Sequence, residues 1–208
     1  MNGAVHVARC AFGAIALITS TAFAQDTSTL ASRLDKPTYI AVTAIVDSAR
    51  IAKMPTKPLF DKALEGAAKG SDGPTIIGAV QQRWVRMGAA KQGLGTSTSP
   101  DEIRSAVTAL EAGASARDLA RVRAAGGKRS VTLPLAVLTD LISRSVPIPT
   151  ATDLVLQLMR SGVRDGDLST FQRNVRADIE RGADPTAAAT TRARGAIRSN
   201  QPKPGRSE

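Results

Sequence analysis

SPDEIRSAVTALEAGASARD, from Ser99 to Asp118, is the stretch that decides the fold of this chain. Ser99 stands where a helix N-cap belongs, and Pro100 fills the first helical position, where its missing N–H goes unnoticed. Glu102 is placed to reach back to the cap. The helix this predicts runs to Glu111-Ala112, after which Gly113 can take the left-handed conformation that closes a helix without a side-chain clash. Ser115 with Asp118 then opens a second helix at once.

Working outward, the junction recurs. Gly113-Ala114-Ser115 with Asp118-Leu119 has a partner in Gly162-Val163-Arg164 with Asp167-Leu168, and Val107 and Leu110 before the first glycine match Leu156 and Met159 before the second. Leu119 and Val122 after it match Leu168 and Phe171. Weaker relatives sit at Gly70, between Leu64 and Ile76, and at Gly182-Ala183-Asp184-Pro185. Capping geometry accounts for the pattern, so it describes architecture and not a recognition motif. The junctions are unevenly spaced, which favours a set of antiparallel hairpins over a solenoid of fixed repeat.

The remaining periodicity is helical. Val42, Ile45, Val46 and Ala49 line one face between Pro37 and Pro55; a second helix spans about Pro58 to Lys69. A third starts near Pro74, carries Ile76, Ile77, Val80, Trp84 and Met87, and stops at Gly93-Leu94-Gly95. Gly95 to Ser99 is then read as a join between two halves, with a sub-boundary at 93–99. The most apolar stretch runs from Val131 to Met159. Leu135, Leu138, Leu141 and Ile142, then Leu154, Val155, Leu158 and Met159, flank the Val146-Pro147-Ile148-Pro149 turn, with Thr150 and Asp153 as the expected cap of the second helix. Apolar residues around most of a helix circumference mark the centre of a core. The fold class is all-α: an irregular bundle or array of about eight short antiparallel helices joined by Gly-capped turns.

The first residues read as an export signal. Arg9 precedes an apolar run from Ala11 to Ile18, far shorter than the roughly 20 residues that span a bilayer. Ala22-Phe23-Ala24 then offers small residues to a signal peptidase. Cleavage after Ala24 delivers the product to the periplasm or outside the cell. Arg9 beside Cys10 does not fit a lipid-attachment site. The organisation expected is a signal peptide over 1–24, a flexible segment over 25–36, one helical domain over 37–198, and a disordered basic tail over 199–208.

Composition narrows the chemistry. The chain has one histidine and one cysteine, His6 and Cys10, both in the leader. The exported product therefore lacks thiol and imidazole catalysis, disulfides and His/Cys metal sites. The formal net charge of the full chain is +10, and +9 remains once the leader with Arg9 is removed. Such a balance attracts anionic partners without saying anything about fold.

Several side chains could carry chemistry. Asp61 and Glu65 lie four apart on one helix face, and Glu102, Glu111, Asp178 and Glu180 complete the candidates for a general acid. Basic, helical, exported proteins with a single catalytic glutamate include the lytic transglycosylases, but the motifs around their Glu-Ser pair are missing here. Only Tyr39, Phe60, Trp84 and Phe171 remain to line a sugar cleft. Asp165-Gly166-Asp167 lacks the further ligands of a calcium loop, since Thr170 and Arg176 stand at its sixth and twelfth positions, and is read as a helix cap at Asp165 with a first-turn Asp167. Gly126-Gly127-Lys128-Arg129 lacks the spacing of a phosphate loop. With Arg121 and Arg123 it forms the densest basic cluster, a candidate anion site made of Arg121, Arg123, Lys128 and Arg129.

The expectation is a non-enzymatic, exported helical protein with an interaction or structural role in the cell envelope, and with no cofactor or metal. Its expected partner is an anionic envelope polymer or another envelope protein. Nucleic acid is disfavoured by the scarcity of stacking aromatics. Two alternatives differ in class: a glutamate-dependent peptidoglycan-cleaving enzyme, and a periplasmic chaperone-like binder with an exposed apolar face.

Overall fold

The computed structural model describes residues 27–95 and 99–201. The expected export signal with His6, Cys10 and the cleavage point after Ala24 lies outside the described residues, as do 96–98 and the tail from 202. Among the described residues there are ten helices and no strand. The first, α1, is the helical stretch 27–33. It is followed by α2 (Lys36–Ile51), α3 (Lys57–Ala68), α4 (Gly73–Leu94), α5 (Pro100–Glu111), α6 (Ala116–Gly126), α7 (Thr132–Ser143), α8 (Ile148–Arg160), α9 (Asp165–Glu180) and α10 (Pro185–Asn200).

Local chemistry explains most of the helix ends. Proline occupies the first turn of α2, α3, α4, α5, α8 and α10, where no intrahelical donor is lost. Ser99 and Ser115 form complete capping boxes with Glu102 and Asp118, and Asp72 and Asp184 accept from Thr75 and Ala187 N–H. At the other end, a residue with positive φ lets the next N–H reach back five positions, as Ala114 does to the Ala109 carbonyl and Val163 to that of Leu158. Gly113 takes this conformation between α5 and α6. Between α7 and α8 the same backbone is held by Ser145 at φ 68°, a position the glycine pattern does not reveal.

Packing follows a rule. From α5 onward each helix lies beside the next but one: α5, α7 and α9 form one layer, and α6, α8 and α10 the other. The two layers are joined by the α7–α8 and α9–α10 hairpins, while α4 packs against α2, α3, α5 and α6. Helix pairs begin at Pro100, Thr132 and Asp165, about 32 residues apart. Ile103, Leu135 and Leu168 fall at equivalent positions and are buried, as are Ala106, Leu138 and Phe171. The regular unit is thus the helix pair. Aligning Gly113 with Gly162 sets the end of a first helix against the end of a second, which is why the junctions look irregular in the sequence.

Several expectations change. Ten helices stand among the described residues where about eight were expected; the short α1 has no signal in the apolar pattern. Residues 27–33, assigned to a flexible segment, are helical, and Leu30 is completely buried. Ser199 and Asn200, assigned to the tail, close α10, with Asn200 Nδ2 donating to the Ser161 carbonyl at 2.6 Å. Thr150 does not cap α8, which already starts at Ile148 behind Pro147. Asp165 is the first residue of α9 and Arg164 stands at its N-cap, without a side-chain cap. In the segment 93–99, Gly93 and Leu94 still belong to α4, and α4 packs on elements from both sides of it. The centre of the core is as expected: Leu135, Val137, Leu138, Leu141, Val155, Leu156 and Leu158 are all essentially inaccessible. Burying each such side chain stabilises the fold by about 1.5–3 kcal/mol before conformational entropy is set against it.

Candidate functional site

The basic cluster is taken apart by the fold. Arg123, near the end of α6, points inward. Its Nη1 donates to Glu102 Oε1 at 2.9 Å, while Nη2 donates to the Gly127 carbonyl at 2.7 Å and to the Arg129 carbonyl. Glu102 is 3% exposed and also accepts from the backbone around it: Oε1 takes the Val131 N–H at 2.9 Å, and Oε2 the Ser99 N–H at 3.1 Å. Burial pushes this carboxyl up, but the Val131 and Ser99 N–H groups and the Arg123 charge outweigh it and hold it below its ordinary value. A capping glutamate therefore ties the start of α5, the end of α6 and the start of α7 into one node. Its reach to Val131, across the layer, has no signal in the local sequence.

Arg121 is also committed. Its Nη2 donates to Asp153 on α8 at 2.7 Å, and Asp118 lies 3.9 Å from Nη1. Lys128 and Arg129, in the turn after α6, remain exposed. Arg129 Nη2 lies 3.4 Å from the Met159 carbonyl at the end of α8, and the residue lines a 300 Å³ cleft with Ser130, Met159, Val163 and Asp165. Among the described residues Lys128 and Arg129 thus sit together without an ion pair, while Arg121 is paired at the surface and Arg123 is drawn inward.

The candidate acids have a common fate. Asp61, Glu65 and Glu111 are brought into one 520 Å³ cleft between α3, α4 and α5, walled by Pro55, Pro58 and Pro100. Each is ion-paired there: Asp61 with Lys57 at 2.7 Å, Glu65 with Lys62 and Lys69, and Glu111 with Arg83 at 2.7 Å. Hydrogen bonds from Lys69 and Lys62 hold Glu65 down at about 2. On α9, bonds from Arg192 lower Asp178 to about 2, and Arg176 lowers Glu180. A general acid at neutral pH needs the opposite shift. Among the described residues no group of three or more acidic, His or Cys side chains is placed to hold a metal.

Apolar exposure is limited to single side chains. Ile40 and Ile51 on α2 and Val85 on α4 are the large hydrophobic residues left open among those described. No described helix is long and apolar enough to cross a membrane. Comparison with protein-family models, with curated proteins and with solved structures finds no match for the chain.

Proposed function

We propose that this chain is a non-enzymatic, exported protein that binds an anionic polymer of the cell envelope, with the Lys128-Arg129 turn as the centre of contact. One observation carries the proposal. After the fold has paired Arg121 and Arg123 with its own carboxylates, Lys128 and Arg129 still present their charge to solvent at a turn between helices. The charge balance supports it from long range, since the chain's net +10, or +9 without Arg9 of the leader, raises the local concentration of any polyanion. The pairing of Asp61, Glu65, Glu111, Asp178 and Glu180 with cations favours binding over glutamate-dependent cleavage.

The test is co-sedimentation with purified envelope at low and high salt. The wild type is expected to sediment at low salt and release at high salt, and a Lys128→Gln/Arg129→Gln variant to release at markedly lower salt. Equal retention of that variant would remove this turn as the centre of contact. Arg123 is left intact in the design, because its loss would unpair buried Glu102 and confuse folding with binding. Peptidoglycan suspensions mixed with the protein are expected to keep their turbidity; clearing that Glu111→Gln abolishes would establish the enzyme instead.

A further inference from the structure

The turn after α6 has neighbours of the same kind. Because α6, α8 and α10 lie side by side in one layer, their C-terminal ends can share an edge, and three contacts show that they do. Gly126 at the end of α6 lies against Met159 at the end of α8, Arg129 reaches the Met159 carbonyl, and Asn200 at the end of α10 reaches the Ser161 carbonyl just after α8. Each of these ends carries exposed cations: Lys128 and Arg129 after α6, Arg160 and Arg164 around the end of α8, and Arg198 in the last turn of α10. Among the described residues none of the five is in a salt bridge, in contrast to Arg83, Arg121, Arg123 and Arg192 elsewhere. The opposing charges at this edge are Asp165 and Asp167 in the first turn of α9, a turn whose N–H groups have no side-chain cap.

Resting on the polyanion binding proposed above, we infer that this edge is the binding surface, and that its ligand is a linear polyanion lying across the ends of α6, α8 and α10. Cations at three consecutive helix ends form a row rather than a pocket. With neighbouring helices 8–10 Å apart, the row extends over about 20 Å. A single small anion touches one end of it, whereas a chain polymer meets all three. The same row lacks the apolar residues that anchor a basic helix in a bilayer. Ile40, Ile51 and Val85, the exposed large hydrophobics among the described residues, belong to α2 and α4. The edge therefore suits a polymer in solution or on a wall and not a lipid surface.

The experiment measures binding of the purified protein to long-chain inorganic polyphosphate, to tripolyphosphate and to vesicles rich in phosphatidylglycerol, over a range of salt. Two variants of equal charge are compared. The edge variant carries Lys128→Gln, Arg160→Gln, Arg164→Gln and Arg198→Gln; the control carries Arg33→Gln, Lys36→Gln, Lys53→Gln and Arg117→Gln, all exposed cations away from the edge. Unchanged melting of both variants confirms that folding is intact. The wild type and the control are expected to bind the long polymer alike, and the edge variant at least tenfold more weakly. Its plot of log affinity against log salt should be shallower by about three, at roughly 0.7 for each phosphate of a flexible chain that is no longer neutralised. Tripolyphosphate is expected to bind weakly and to distinguish the variants little. Asp165→Asn/Asp167→Asn should tighten binding of the long polymer. Equal weakening of the two variants would overturn the edge while leaving polyanion binding in place. No binding of the long polymer by the wild type would overturn both. Vesicle binding that is stronger than polyphosphate binding and lost in the edge variant would overturn the choice of polymer.

Discussion

Glu102 and Asp178 are two carboxylates with the same partner chemistry and different surroundings. Each accepts from arginine: Glu102 on α5 from Arg123 on α6, Asp178 from Arg192 and Arg181 in the α9–α10 hairpin. Glu102 is nearly inaccessible and also takes two backbone N–H groups, one from its own N-cap Ser99 and one from Val131 at the start of α7. Asp178 is itself 17% exposed, and its partners open further to water, Arg181 at 67% and Arg192 at 41%. Charge alone therefore does not tell which pair the fold depends on. A buried pair must be complete, because removing one member strands the other in a medium that cannot solvate it. An exposed pair that is broken is rehydrated.

The sharpest way to break this comparison is Glu102→Gln. It should lower stability by about 3 kcal/mol in denaturant unfolding, the lower end for a buried pair, because Arg123 loses its countercharge while 18% of its side chain stays in contact with water. A loss below about 1 kcal/mol, the ceiling for an exposed pair, would show that the node is not a structural one. Next in size is the pair Gly93→Ala and Gly88→Ala on α4. A Cβ at Gly93 meets the Ala116 carbonyl at 2.9 Å, where α6 crosses the end of α4, whereas one at Gly88 meets open space. Overpacking at Gly93 should destabilise by about 1–3 kcal/mol, and Gly88→Ala should stabilise by about 0.5–1 kcal/mol by restricting the unfolded chain. Thermal melts moving in the same direction for both would contradict the buried-versus-open distinction.

Ser145→Gly tests the αL turn between α7 and α8. With the serine already at φ 68°, glycine should stabilise by about 0.5–1 kcal/mol, seen as a higher unfolding midpoint. The smallest effect belongs to Asp178→Asn. It should leave the global midpoint almost unchanged and increase hydrogen exchange in α10. Acid titration separates the two carboxylates as well. Both are lowered in the folded protein, so both contribute above their unfolded values and lose that contribution as pH falls. For Asp178 the window runs from the ordinary 3.8 down to about 2, and for Glu102 it begins at 4.5. Salt should weaken the Asp178 contribution and leave that of Glu102 nearly intact.

Legibility in the sequence tracked distance along the chain. The helix starts at Pro58, Pro74, Ser99 and Ser115, the stops at Gly70, Gly113 and Gly162, and the core hairpin around Leu138 and Leu158 were all readable. Their signals lie within a few positions of each other. Ser145 escaped notice because its turn is imposed by packing on a residue that does not advertise it. The short helix 27–33 escaped for a related reason: only the burial of Leu30 against the core makes it more than a polar segment. The pairing of helices at a spacing of about 32 residues is hidden because the end of α7 uses Ser145 where the equivalent ends of α5 and α9 use Gly113 and Gly182.

The candidate site shows the same division more strongly. All four cations of the basic cluster, Arg121, Arg123, Lys128 and Arg129, are visible in a short stretch of sequence, and so are the acids. Which of them are available is not. Arg123 meets Glu102 21 positions away, Arg83 meets Glu111 28 positions away, and Arg121 meets Asp153 32 positions away. The sequence by itself determined an all-helical chain and where most of its helices begin and end, because capping and backbone conformation are settled within one turn. Only the tertiary structure decided which charges are consumed and which face outward, because an ion pair forms between whatever side chains the packed helices bring within a few ångströms.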